Sequence, residues 1–245
     1  MKLIKLILLL LICFSTSISN AKQSIHIAAE EIEGFTKNKH RSIYWELFRL
    51  IYVDYNLEIH IKPIKRVEKL LTNKNIDIVF PFYKQDIESE LHGAQPFDYD
   101  RVSALFKKSK FKEWHGIKNN ISRRFVWVVE HGYENYFDIK NYREARDQKQ
   151  ALKMLERNRV DFYLNAKDDI EIAFKKLQLD STEYGIAEVI RLGLYPFFAN
   201  NEKGMNLKSI YDKRLTEIKN NGKLKSLFQK HKLDYLHDKA KLKQN

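Results

Sequence analysis

A few residues stand where they could hold a small molecule, each just past an apolar run or at the start of a helix. Glu30 and Glu31 follow the run Ser24 to Ala29, and a carboxylate there could hold a ligand ammonium. Tyr83 and Lys84 follow the run Ile76 to Phe82, which is interrupted only by Asp77 and Pro81. The ring could stack on a ligand and the amine could serve as a point charge. Tyr133 follows the β-rich stretch Arg124 to Glu130 through His131 and Gly132, and is the mirror candidate. Asn165 lies just beyond Asp161 and could offer an amide. Arg66, at the start of an amphipathic segment, could pair with a carboxylate through its planar fork. All of these positions also suit a plainer role, as a solvated loop acid or a surface helix residue. Asp77 and Asp161 could be taken for paired acids. They read better as structural residues, because they begin strands at the sheet edge away from a cleft.

Reaction motifs are absent. The eight histidines show no His-x-x-x-His or His-Glu-x-x-His spacing, so no zinc site is expected. No glycine-rich phosphate loop and no Gly-x-Ser-x-Gly turn appears. No cofactor is expected. The pattern is one of binding, without a bond made or broken.

The elements that position these residues follow from periodicity. Residues 62–83 read as a short amphipathic helix, an Asn-Lys-Asn turn and a buried, parallel-type strand that Pro81 stops. Residues 150–164 repeat that order, with Leu71, Lys69 and Asp77 matching Leu155, Lys153 and Asp161 at one offset. Two similar α/β lobes with a cleft between them are implied. Ligands in such sheets bind beyond the carboxyl ends of strands. Further strands are expected at 24–29, 57–61, 102–106, 124–130 and 191–199, and helices at 41–53, 168–177, 207–220 and 223–231. Residues 107–121 read as a surface excursion. The first lobe is expected over 22–105 and 190–237, the second over 106–189, and a frayed tail over 238–245.

The 245 residues are 44% hydrophobic and 13% aromatic, which supports a core and argues against disorder. Residues 1–21 read as a cleaved signal peptide: Lys2 and Lys5, an apolar run from Leu6 to Phe14, and small residues Ser19 and Ala21 before the cut. The rest is expected to be soluble and periplasmic. The lone cysteine, Cys13, leaves with that leader, so the mature chain has no disulfide. The formal charge is +12. Nucleic acid is one reading of such a charge, but export argues against it. An anionic ligand, an anionic envelope surface or a solvated basic face fits better.

Several segments together resemble the extracellular solute-binding proteins of family 3, the periplasmic binding proteins of ABC transporters. Pro63-Ile64-Lys65-Arg66 is similar to the family's proline-aromatic-x-arginine start. Asn75-Ile76-Asp77 and Arg159-Val160-Asp161 are similar to its Gly-x-Asp strand starts. Pro96-Phe97-Asp98-Tyr99 and Asn221-Gly222-Lys223-Leu224 resemble its aromatic-proline segment and C-terminal helix break. The resemblance spans nearly the whole mature chain. It implies a type II periplasmic-binding-protein-like fold of two lobes, with mixed, mostly parallel sheets flanked by helices. It also implies a monomer that captures a small polar or anionic solute, amino-acid-like or an organic acid, by hinge closure and passes it to an ABC permease. One departure bears on the ligand. The arginine that clamps a carboxylate in family members has no counterpart in Tyr83 to Ser89. Two other roles of the same fold remain open, an envelope interaction or sensory module and an enzyme that dehydrates cyclic carboxylic acids.

Overall fold

The computed structural model describes residues 22–72, 75–89, 91–129 and 131–237. The expected signal peptide, Cys13, the tail and most of the Asn-Lys-Asn turn lie outside these. Among the described residues there are eight strands and six α-helices, in the order β1 (Ser24–Ala29), α1 (Ile43–Ile51), β2 (Asn56–Ile61), α2 (Ile64–Thr72), β3 (Ile78–Phe82), β4 (Asp98–Lys107), β5 (Phe125–Val128), β6 (Tyr142–Ala145), α3 (Gln148–Glu156), β7 (Phe162–Ala166), α4 (Lys167–Leu177), β8 (Tyr184–Phe198), α5 (Glu202–Asn220) and α6 (Lys223–Lys230).

The strands run in the order β2-β1-β3-β8-β4-β7-β5-β6. Pairs β1/β2, β1/β3, β5/β6 and β5/β7 are parallel, and β3/β8, β4/β7 and β4/β8 antiparallel. The sheet is mixed, with a parallel unit at each end, as expected. Its middle is what makes two lobes. The first part of β8 pairs with β4 from Tyr184 to Leu194, and its last residues, Tyr195 to Phe198, pair with β3. One strand therefore serves both lobes, with β4 beside it.

Each lobe has its own core, as two-layer packing requires. In the first, the apolar face of α1 lies on β3. Phe48 stacks on Phe80 at 4.1 Å, while Trp45 and Phe97 meet the same ring edge-on. Helices α5 and α6 close that core with Leu207, Tyr211, Leu215 and Phe228. In the second, α3 and α4 bury Leu152, Leu155, Ile170 and Phe174 against Val126 and Tyr163, while Phe106, Phe125, Trp127 and Phe162 fill the opposite face.

Four expectations need correction. Pro81 does not stop β3: Phe82 still pairs with Tyr195, across a register shift that absorbs the missing proline donor. β8 begins at Tyr184, seven residues before the expected start, because pairing with β4 holds backbone through a Gly- and Glu-containing stretch of weak strand preference. β6, Tyr-Arg-Glu-Ala, is a strand that the periodicity does not reveal, because it is an edge strand with a mostly exposed, charged sequence. The segment 107–121 is no simple surface excursion, since Phe111 and Trp114 pack on Phe162 at 4.9 and 5.1 Å.

Candidate functional site

Parallel strands leave their last residues at a common edge, and here two such edges face each other. β1 ends before Glu30, β3 before Tyr83, β5 before the turn to Tyr133, and β7 at Ala166. Between these ends lies a cleft of about 430 Å³ with walls from both lobes. That volume lies in the range of sites for small ligands.

The cleft brings together Glu30, Tyr83, Tyr133 and Asn165. Glu31, Arg66 and Lys84 are not in its lining. Glu31 points to solvent near Lys37 at 3.9 Å. On α2, Ile64 and Glu68, four residues apart, turn to the cleft with Lys65, while Val67 turns to the core. Arg66 falls on the remaining, exposed face. Lys84 is exposed in the turn after β3.

The tyrosines are held firmly. The Tyr83 hydroxyl donates to Asp100 Oδ2 at 2.7 Å, and its ring meets Tyr136 of the other lobe edge-on at 5.8 Å. Tyr133 is reached through Gly132, whose φ of 61° and ψ of 24° is left-handed backbone. That bend turns the Tyr133 ring inward, where it is fully buried. Asn165 spends its amide internally. Nδ2 donates to the Tyr163 hydroxyl at 2.7 Å, and Oδ1 accepts from the Ala166 amide at 2.9 Å. It shapes the wall and has little left to offer.

Sequence reasoning missed the acids. Asp86, Asp100 and Asp169 line the cleft with Glu30 and Glu68, against Lys65 and His131 as the basic residues. Burial pushes the Asp100 carboxyl up to about 7, aided by Asp169 and Asp168, while the Tyr83 hydrogen bond opposes it. Burial likewise raises Asp169 to about 6, with the charges of Asp168 and Glu30 adding. Asp86 rises to about 6 through burial, against the Tyr83 amide that it accepts at 2.7 Å. Just behind the cleft Asp98, pushed to about 8 by burial, accepts from the Tyr44 hydroxyl at 2.8 Å. Arg101 does not relieve this crowd. Its guanidinium is spent on Asp168 at 2.9 Å and Asp234 at 2.6 Å.

Among the described residues, no group of three or more His, Cys, Asp or Glu could hold a metal ion. No described helix is long and apolar enough to cross a membrane.

No family model and no curated protein matches the chain. Solved structures do. The ligand-binding core of GluR0 in complex with L-glutamate superposes with a TM-score of 0.67 at 10% identity, covering 85% of this chain and 97% of that one. A putative ABC-transporter binding component from Wolinella succinogenes, complexed with lysine, gives 0.67 at 14% identity over 89% and 99%. An ancestral amino-acid-binding protein, described as a precursor of cyclohexadienyl dehydratase, gives 0.61 at 11% identity over 84% and 94%. At such identities the likeness speaks for architecture, and the chain has the two-lobed periplasmic-binding-protein fold that its motifs implied.

Proposed function

We propose that the chain is a periplasmic solute-binding protein that captures a small polar solute between its lobes and delivers it to an ABC permease. The carrying observation is the cleft, which is walled by strand ends from both lobes at once. A ligand seated there touches both lobes only when they close. It therefore binds the closed form better and shifts the population toward it. The hinge lies where β4 and β8 cross between lobes, within 98–107 and 184–198. The chain works as a monomer, exported by cleavage after Ala21, with Glu30, Tyr83 and Tyr133 as ligand contacts. Glu31, Arg66 and Lys84 have no part in this lining and are set aside.

A dehydratase-like enzyme is the second reading. One observation favours it: Asp100, a cleft acid poised near 7, could move a proton. The same lining argues against it, because a cyclic carboxylic acid would meet acids on most sides. Capture is the better fit.

Native mass spectrometry of protein purified without refolding tests the proposal. A discrete added mass, lost on denaturation, is expected. A clean apo mass, with no melting shift across amino acids, organic acids, sugars and amines, would move the reading to an envelope interaction module.

A further inference from the structure

The chain carries +12 overall, yet its cleft is acidic. We propose that the cleft takes an organic cation, an amine or guanidinium without a carboxylate, held between Glu30 of the first lobe and Asp169 of the second, with Asp100 at the hinge. This rests on reading the cleft as a solute site and names the solute's class.

Three observations carry it. First, the acids oppose each other across the gap. Glu30 follows β1 and Asp169 sits in the first turn of α4, yet the charge of Glu30 reaches Asp169, and that of Asp169 reaches Asp100. The charges that raise Asp100 and Asp169 are all carboxylates: Asp168 for both, Asp169 for the first and Glu30 for the second. Like charges facing across a hinge disfavour closure, and a cation between them reverses the sign. Second, the Tyr133 hydroxyl is buried in the same lining, and beyond the adjacent Tyr83 hydroxyl it has no polar partner of good hydrogen-bond geometry. The Tyr83 hydroxyl beside it donates to Asp100. An ammonium or guanidinium offers donors and no acceptor, which suits a phenol oxygen together with carboxylates. Third, the helix start that could seat an anion already bears negative side chains. The start of α4, whose free amides favour negative charge, already carries Asp168 and Asp169. Among the described residues no arginine lines the cleft.

The spacing suits an organic cation better than a metal ion. The carboxylates do not converge into a group of three around one point. Ile64, Phe82 and Leu194 lie among them and give an alkyl chain apolar contact.

Calorimetry and thermal shift at pH 8 test this with 1,4-diaminobutane, agmatine, L-lysine, L-glutamate and succinate as probes. Diaminobutane or agmatine is expected to bind at least tenfold tighter than L-lysine or L-glutamate, and succinate not at all. Asp169→Asn and Glu30→Gln are each expected to weaken that binding at least tenfold, with circular dichroism and melting temperature retained. Asp100→Asn is the reserve if one of them fails to fold. Tighter binding of L-glutamate or succinate overturns the cation class and leaves solute capture standing. Amine binding indifferent to all three substitutions places the amine outside the cleft and overturns the assignment. If no probe binds, the cation class falls, and solute capture is decided separately by the native mass spectrum.

Discussion

Asp77 and Asp161 occupy the same place in the two lobes. Asp77 Oδ2 accepts the His26 amide at 2.8 Å and the Lys203 ammonium at 2.7 Å, and its own amide donates to the His26 carbonyl at 2.9 Å. Asp161 repeats this one lobe later. It accepts the Arg124 amide and guanidinium at 3.0–3.1 Å and the Lys110 ammonium, and its amide donates to the Arg124 carbonyl at 2.7 Å. Each aspartate thus fixes the register between its own strand and a neighbour, and neither lines the cleft. Hydrogen bonds from Arg124 and Lys110 outweigh burial and hold the Asp161 carboxyl well below the usual range. A lowered folded pKa means stability that is present above the unfolded value, near 4, and is lost as pH falls below it. Asp161→Asn should therefore cost about 1–2 kcal/mol at pH 7, since it leaves buried hydrogen-bond donors unmatched while the Arg124 and Lys110 heads stay partly solvated, and the gap from wild type should close toward pH 3. Urea melts of the two proteins at both pH values check this; equal midpoints at pH 7 would rule it out. The offset that matches Asp77 to Asp161 is visible in the sequence. The cleft acids are not, because Asp100 and Asp169 carry no motif and only tertiary closeness to Glu30, Tyr83 and Tyr133 gives them meaning.

At the scale of elements, periodicity carried most of the fold. Helices α1, α4 and α6 and strands β1, β2 and β7 lie within a few residues of expectation, because each has a strong apolar stripe or run. What failed was held by partners instead of by its own sequence, as with β6 at an edge and the first half of β8 along β4. α2 was foreseen as a helix, but which face meets the cleft depends on how Pro63 and Val67 seat it. So Arg66 was expected inward where Lys65 and Glu68 now stand. The start of α5 makes a sharper test. Asn201 caps it, its side chain accepting the Gly204 amide at 2.8 Å. Gly204 is buried so tightly that an added Cβ would fall inside the Ala199 carbonyl oxygen. The helix start and the end of β8 therefore touch backbone to backbone. Gly204→Ala gains helix propensity, worth roughly 1 kcal/mol at most, but must push this contact apart, at about 2–3 kcal/mol. A net fall of several degrees in melting temperature is expected by calorimetry. An unchanged or higher value would mean that the α5 start yields without cost.

For the whole molecule, net charge and site charge have opposite signs, and composition alone reports only the first. Solvated lysines and arginines over the surface set +12, while a handful of carboxylates turned inward set the cleft. Ionic screening over about 8–10 Å keeps the outer charge from deciding the inner one. This arrangement gives the empty and loaded protein opposite pH behaviour. Asp86 and Asp169 near 6, Asp100 near 7 and Asp98 near 8 are all raised by burial. Between pH 4 and 8 the folded chain therefore holds more protons than the unfolded one, and stability falls as pH rises through that window. Binding a cation demands the reverse, because Asp100 and Asp169 must be ionised to hold it. The charges that act on them, Asp168 on both, Asp169 on Asp100 and Glu30 on Asp169, are negative and favour the protonated form, while Glu68, Lys65 and His131 share the lining. Melting temperature of the protein alone should drop from pH 5.5 to 8. The increment given by saturating 1,4-diaminobutane or agmatine should grow over the same interval, with affinity falling roughly tenfold per pH unit below 7 for each proton displaced. Calorimetry in two buffers of different ionisation enthalpy reads the proton release directly. An increment that is flat with pH, with no proton released, would mean that the acids are already charged when the cleft is empty, and that the raised values play no part in capture.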